Sequence, residues 1–212
     1  MTSDSKILYD ITPTISQEIA VWPGDTPASR EVLLDMKAGA NLTLSTLHAT
    51  VHLGAHADAP SHYGADAPSV ESRALDYYLG PCQVVRPRVR RGARIPADAA
   101  PDPLRAERVL FATDTFPDPN RFNEDFAALS PELVVRLHEL GARLVGIDTP
   151  SIDPFPSKDL PSHRACLECD MGILEGIVLT GVPEGLYELI ALPLKLAGFD
   201  ASPVRAVLRS LS

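Results

Sequence analysis

The chain has 212 residues, of which 45% are hydrophobic and 22% charged, a composition typical of a protein with a packed core. We expect a single domain over residues 1–212, because this length fits one globular unit. The net charge of -9 argues against nucleic-acid binding, which usually requires a basic surface. No apolar run approaches the roughly 18 to 20 residues that span a bilayer, and a signal-peptide pattern is missing. These features predict a cytoplasmic protein that binds neither nucleic acid nor membrane.

The first predicted elements are strands. Residues 7–11 are apolar and β-prone, and residues 41–53 mix leucine and valine with threonine and serine. From 47 to 53 apolar and polar residues alternate, which places His52 on the polar face of a strand. We therefore expect His52 to end that strand.

A strand-helix-strand unit is predicted over residues 108–150. Residues 108–113 and 143–150 have the composition of buried strands, and the Ser-Pro-Glu sequence at 130–132 is a strong helix start. Gly141 supplies the left-handed residue that ends a helix. This unit predicts a mixed α/β fold.

The three cysteines are Cys82, Cys166 and Cys169, too few for a disulfide framework, and they fit a reducing compartment. Two of them have the spacing of half a zinc site, but the sequence has no second pair to complete four sulfur ligands. Free cysteines most often behave as small buried hydrophobes, and we favour that role here.

Four of the six histidines lie within fifteen residues, between positions 48 and 62. Asp58 lies among them, and a bend at Gly54 is expected to fold His52, His56 and Asp58 towards one point. Imidazole and carboxylate are normal ligands of zinc or manganese, and a carboxylate can bridge two ions. The segment therefore predicts a metal site in preference to a chance cluster of surface histidines.

Two residues far along the chain are further candidate ligands. His163 follows a Leu-Pro-Ser sequence, and Glu175 interrupts an apolar, strand-like run at 173–179. A buried carboxylate needs a partner, because desolvating an unpaired charge costs several kcal/mol. A bound cation would satisfy Glu175, and a salt bridge to arginine or lysine is an equal alternative.

The motif at 52–62, His-x-Gly-x-His-x-Asp-Ala-Pro-x-His, resembles the signature of the metal-dependent cyclase family. Blocks at 21–27, 79–82, 146–154 and 200–206 resemble one branch of it, the bacterial kynurenine formamidases, and the resemblance covers nearly the whole chain. It implies a homodimer with a swivelling β/β/α fold. It also implies hydrolysis of N-formyl-L-kynurenine to L-kynurenine and formate, in tryptophan degradation.

The same resemblance implies the metal ligands and their number. His52, His56 and Asp58 would hold one divalent ion, zinc or manganese. Asp58 and His163 would hold a second ion, and Glu175 would contribute to both.

Two other residues take catalytic and substrate roles under this resemblance. His62 lies four residues beyond Asp58 and is not needed as a ligand, so it would be the acid/base. Trp22 would contact the substrate, since a Trp-Pro-Gly turn more often leaves its ring at a pocket edge than in a core. Leu53 and Ser61 replace the threonine and leucine expected in relatives, which indicates a changed pocket shape and not a changed chemistry.

Two alternatives to a formamidase stay open. An isatin hydrolase-like enzyme, or another amide- or ring-opening hydrolase of the same family, would use the same ligands. A non-catalytic metal-binding module would give His62 no reason to lie beside them. His48 and His138 have no predicted task beyond structure.

Overall fold

The computed structural model describes residues 7–211, which contain two α-helices and thirteen strands. The helices are α1 (Pro131–Glu139) and α2 (Pro161–Glu168). The strands are β1 (Leu8–Asp10), β2 (Ser29–Leu34), β3 (Leu44–His48), β4 (His56–Asp58), β5 (Leu79–Val85), β6 (Arg94–Ile95), β7 (Arg108–Phe111), β8 (Ala128–Leu129), β9 (Leu144–Ile147), β10 (Gly172–Glu175), β11 (Gly185–Ile190), β12 (Ala201–Pro203) and β13 (Val207–Ser210). The mixed α/β class is thus confirmed.

Nine of these strands, within residues 7–211, form one sheet in the order β1-β13-β11-β5-β7-β9-β10-β4-β12. The pairs from β5 through β7 and β9 to β10 are parallel, and the outer pairs are antiparallel. Every residue of β7, β9 and β10 is buried, as expected for parallel strands covered on both faces. The pairs β2–β3 and β6–β8 form separate ribbons.

The predicted strand-helix-strand unit is confirmed as β7, α1 and β9. The Ser130 hydroxyl accepts a hydrogen bond from the amide of Leu133 at 3.1 Å, and Gly141 takes a φ of 98° after the last turn. Both ends of the helix are therefore set by local sequence, as capping chemistry predicts. Helix α1 packs its buried residues, among them Leu137, on one face of the central strands together with α2. Neither helix in the described range is long and apolar enough to cross a membrane.

The segment before the histidine motif differs from the prediction. Strand β3 ends at His48, so His52 does not end a strand and lies instead in a bend between β3 and β4. The prediction that the apolar residues of 47–53 share one face of a strand was also wrong. Leu47 is 63% exposed, whereas Leu53 is fully buried. The physical reason is that the chain leaves the exposed ribbon and enters the main sheet here, turning at Gly54 with a φ of 57°.

Strand β4 itself was not predicted. It has three residues, His56, Ala57 and Asp58, and all three are buried between β10 and β12. Its polar and apolar residues do alternate, but three residues are too few to predict a strand from such a pattern. The opening strand predicted over 7–11 is confirmed as β1.

Candidate metal centre

Several elements bring the five predicted ligands together. His56 and Asp58 are two residues apart on β4 and therefore share one face of that strand. Strand β10 runs antiparallel to β4 and places Glu175 opposite His56. His163 lies in the first turns of α2, and His52 in the bend before β4. The pairing of β4 with β10 thus joins parts of the sequence that lie more than a hundred residues apart.

The donor atoms of this cluster face Asp58 from two sides. His52 Nδ1 and His56 Nε2 lie 3.2 and 3.4 Å from Asp58 Oδ1, and His163 Nε2 lies 3.5 Å from Asp58 Oδ2. Glu175 reaches both sides, with Oε2 3.3 Å from His56 Nε2 and Oε1 3.4 Å from His163 Nε2. Two sets of three possible ligands result, and they share Asp58: His52, His56 and Asp58 in one, Asp58, His163 and Glu175 in the other.

The innermost atoms of the cluster are buried without hydrogen-bond partners. Within residues 7–211, His56 Nε2 and both carboxylate oxygens of Asp58 have no such partner, although Asp58 is only 1% exposed. A buried carboxylate in this condition is costly unless a cation compensates it. The nitrogen and oxygen donors are those that zinc and manganese accept. The residues therefore fit divalent cations on both sides of Asp58.

Opposite charges shift the pKa values of these groups strongly. Burial alone would lower the pKa of His56, but the carboxylates of Asp58 and Glu175 outweigh it and raise the pKa to about 10. Burial would raise the pKa of Asp58, yet His163, His52 and His56 hold it well below its usual range. Since ligation requires neutral imidazole and ionised carboxylate, protons and cations compete for the histidine nitrogens.

Outer hydrogen bonds fix which nitrogen of two histidines faces the centre. His56 Nδ1 lies 2.9 Å from the Gly54 carbonyl, and His163 Nδ1 lies 2.8 Å from Asp153 Oδ2, which leaves both Nε2 atoms inward. Asp153 is fully buried, and it also accepts bonds from the amides of residues 162 and 163 and pairs with Arg94 at 2.9 Å. Sequence reasoning assigned Asp153 no role, although the residue lies in the block at 146–154. Such outer partners orient metal ligands and set their tautomers.

His62 lies beside the cluster and outside both ligand sets. It ends the short 3-10 turn that follows β4, and its ring centroid is 4.2 Å from that of His52. Asp200 Oδ2 lies 2.9 Å from His52 Nε2 and 3.3 Å from His62 Nδ1. Burial would raise the pKa of Asp200, but its bonds to the two histidines and a backbone bond lower it. Sequence reasoning used the block at 200–206 only for its resemblance and missed this contact.

A cavity of about 560 Å³ opens over the cluster. One wall carries side chains of the candidate centre, namely His52, His56, His62, His163 and Glu175. Much of the remainder is apolar or aromatic, including Ile19, Val21, Trp22, Phe116 and Phe122.

The ring centroid of Trp22 lies 5.0 Å from that of Phe155 and 5.6 Å from that of Phe122. Trp22 therefore belongs to an aromatic cluster and also lines the cavity, which suits a small aromatic ligand.

The remaining conspicuous residues lie outside both ligand sets around Asp58. Cys166 lies on α2 and is buried in the core that also holds the buried face of α1, and Cys169 packs against the same core. No candidate cation group in the described chain contains a cysteine. His48 lies on the exposed ribbon, 3.1 Å from Glu31, and His138 lies on the outer side of α1. The structural roles expected for them stay predictions.

Known proteins share this sequence pattern and this fold. The family model named Cyclase matches residues 9–154. A potential metal-dependent hydrolase with cyclase activity is 27% identical, with a TM-score of 0.84 over 98% of this chain and 100% of its own. A predicted metal-dependent hydrolase from Bacillus stearothermophilus is 29% identical, with a TM-score of 0.81 over 97% and 98%. An isatin hydrolase bound to the product analogue thioisatinate has a TM-score of 0.84 over 98% and 93%, but at 17% identity it shares only the fold.

Proposed function

The chain belongs to the Cyclase family, and we propose that it is a metal-dependent hydrolase that converts N-formyl-L-kynurenine to L-kynurenine and formate. The observation that carries the hydrolase proposal is the buried ligand cluster around Asp58, whose unpaired atoms lie beside a cavity. Two relatives of similar length described as metal-dependent hydrolases, at 27% and 29% identity, support it. The blocks at 21–27 and 146–154, which resemble kynurenine formamidases, support the choice of substrate.

We place one divalent cation, zinc or manganese, on each side of Asp58. His52 Nδ1, His56 Nε2 and Asp58 Oδ1 would hold the first, and Asp58 Oδ2 and His163 Nε2 the second. Glu175 would give one oxygen to each. When bound, such cations supply water whose pKa is lowered from about 15.7 towards roughly 7, and they polarise the formyl oxygen.

His62 would transfer the protons of the reaction. Its ring lines the cavity, and with Nδ1 bonded to Asp200 its Nε2 is the nitrogen available to reactants. His62 would take one proton from the attacking water and deliver it to the aniline nitrogen as the C–N bond breaks. Water and the formamide thus yield the free amine and formic acid, which leaves as formate and a proton, with His62 restored.

Trp22 would hold the aromatic ring of the substrate. Its indole is packed against Phe155 and Phe122, so the face that borders the cavity is rigid. A rigid aromatic wall binds a planar ring with little loss of side-chain entropy. We therefore place the substrate ring against Trp22 and the formyl group towards Asp58 and His62.

A substrate comparison tests this proposal directly. Purified, zinc-loaded protein is mixed with N-formyl-L-kynurenine or with isatin, and the ultraviolet spectra of both reactions are followed. We expect kynurenine to appear and isatin to persist. Consumption of isatin alone would refute the formamidase and favour the isatin hydrolase-like alternative. Protein that binds zinc and consumes neither compound would point to a metal-binding module.

Asp153→Asn is expected to weaken one of the two cation sites selectively. Burial would raise the pKa of Asp153, but its bonds with His163 lower it to about 2, so the native group is an anion that holds the imidazole in place. Loss of that charge should weaken the site of His163 by about 10- to 100-fold, as for other outer partners of metal ligands. Zinc titration against a chromophoric chelator measures both sites. If zinc affinity falls equally at both sites, or at neither, Asp153 does not act selectively on the site of His163.

We also propose a homodimer that uses the ribbon β2–β3. Every residue of β2 is exposed, and the ribbon and its connecting turn carry a concentration of exposed large apolar side chains: Val32, Leu33, Leu34, Met36, Leu42, Leu44 and Leu47. A concentration of exposed apolar side chains on a protein surface is typical of an interaction site. A second copy of the chain would cover it.

Leu47→Glu is expected to convert such a dimer into a monomer. Leu47 is 63% exposed and lies opposite Arg30 in the ribbon, so a glutamate there leaves the fold of the isolated chain intact. Buried at an interface, the same charge would be desolvated at high cost. Light scattering after size exclusion gives the mass of each variant. Val135→Glu on α1, where the native valine is 41% exposed, is the control; a monomeric wild type would rule out the dimer.

A further inference from the structure

Asp200 lies between two histidines to which the proposed function gives different tasks, and we propose that it is a positioning residue for both. Its carboxylate would hold His52 as a metal ligand and His62 as the acid/base, each in one tautomer and one orientation. This inference rests on the proposed function and adds a residue to its machinery. It also couples the metal site to the proton-transfer residue through one side chain.

The hydrogen-bond geometry defines the tautomers. Asp200 Oδ2 is 2.9 Å from His52 Nε2 and 3.3 Å from His62 Nδ1, and an ionised carboxylate can only accept. Both nitrogens therefore donate, and a neutral imidazole has its lone pair on the other nitrogen. For His52 that nitrogen is Nδ1, which lies 3.2 Å from Asp58. For His62 it is Nε2, the nitrogen that a general base needs free.

The backbone holds Asp200 where it can serve both rings. Its carbonyl accepts a hydrogen bond from the amide of Ala59 at 2.8 Å, and Ala201, the next residue, pairs with Asp58 in the sheet. Strand β12 thus fixes the carboxylate beside the motif from the far end of the sequence. The Asp200 side chain is 45% exposed, so its replacement leaves no buried cavity.

A cation held by His52, His62 and Asp200 is the competing interpretation, because the three side chains also lie close enough to ligate one. His52 would then need a metal on both ring nitrogens, since its Nδ1 already faces Asp58. That requires removal of the imidazole N–H proton, whereas donation to Asp200 keeps the ring neutral. The chemistry of His52 therefore favours a hydrogen bond over a third cation.

Asp200→Asn separates these interpretations. An amide is uncharged and offers one acceptor oxygen for two N–H donors. We expect kcat to fall about 10- to 100-fold, with KM changed less than about threefold, as when a residue that orients a base is removed. Zinc affinity at the His52 site should fall about 10-fold, as for other outer partners of ligands. Asp200→Ala should act in the same direction, and Asp66→Asn, which removes an exposed charge elsewhere, is the control.

A double-mutant cycle with His62→Ala shows whether Asp200 acts through His62. In that background, with both zinc sites saturated, Asp200→Asn should change kcat by less than about twofold, because His62, through which it would act on proton transfer, is gone. Equal losses in both backgrounds would overturn the proposal, as would unchanged zinc affinity. A fall from three to two bound zinc ions would make Asp200 a ligand and also overturn it. Wild-type turnover of N-formyl-L-kynurenine in the same assay tests the proposed function separately, and zinc affinity needs no substrate.

Discussion

Asp58→Asn is expected to abolish binding of both cations and to lower kcat by at least roughly 10³-fold. Asp58 belongs to both sets of three ligands, and its two oxygens face opposite groups of histidines. An asparagine keeps the shape of the side chain but loses the charge and one of the two oxygens. Without the cations the pKa of the attacking water returns from roughly 7 towards 15.7, which removes the nucleophile.

Metal analysis and thermal unfolding together check this prediction. Wild-type protein should bind two equivalents of zinc and gain stability, by about 2.7 kcal/mol for each site when free zinc is 100 times the dissociation constant of that site. The melting temperature of the Asp58→Asn variant should not respond to zinc or to a chelator, while its circular dichroism stays that of the wild type. If the Asp58→Asn variant still binds two equivalents of zinc, Asp58 is not a ligand of the centre.

The parts of this fold that sequence predicted are those with local signals. Helix α1 is an example, because Ser130 and Gly141 act on the backbone within a few residues of themselves. The cluster of His52, His56 and Asp58 was likewise visible as a short motif. Strand β4 was not, because three residues are too few for their alternation to indicate a strand.

Residues that act through distant contacts could not be predicted as part of the site. Asp200 meets His52 across 148 positions of sequence, and only the pairing of β12 with β4 brings them together. Asp153 meets His163 across ten positions, but the connection over 148–160 from β9 to α2 that allows it has no regular pattern. The resemblance pointed to the blocks that contain both residues without giving either a role. The proposed roles follow from the contacts of Asp200 with His52 and of Asp153 with His163 in the folded chain.

The largest effect that leaves the cations in place is expected for His62→Ala. His62 belongs to neither set of ligands around Asp58, and it is an exposed residue at the end of a short turn. Its loss should therefore cost little stability and leave zinc content at the wild-type value. Removal of a general acid/base typically lowers turnover by about 10²- to 10⁴-fold, and we expect kcat to fall within that range.

Two further measurements decide what His62 does. Added imidazole should restore part of the activity of His62→Ala, because a small base can occupy the space beside the His52 ring, 4.2 Å away in the native protein. Imidazole should not restore Asp58→Asn, in which the ligand set itself is broken. If His62→Ala instead loses one equivalent of zinc, His62 is a ligand. Proton transfer would then have to come from another group that lines the cavity.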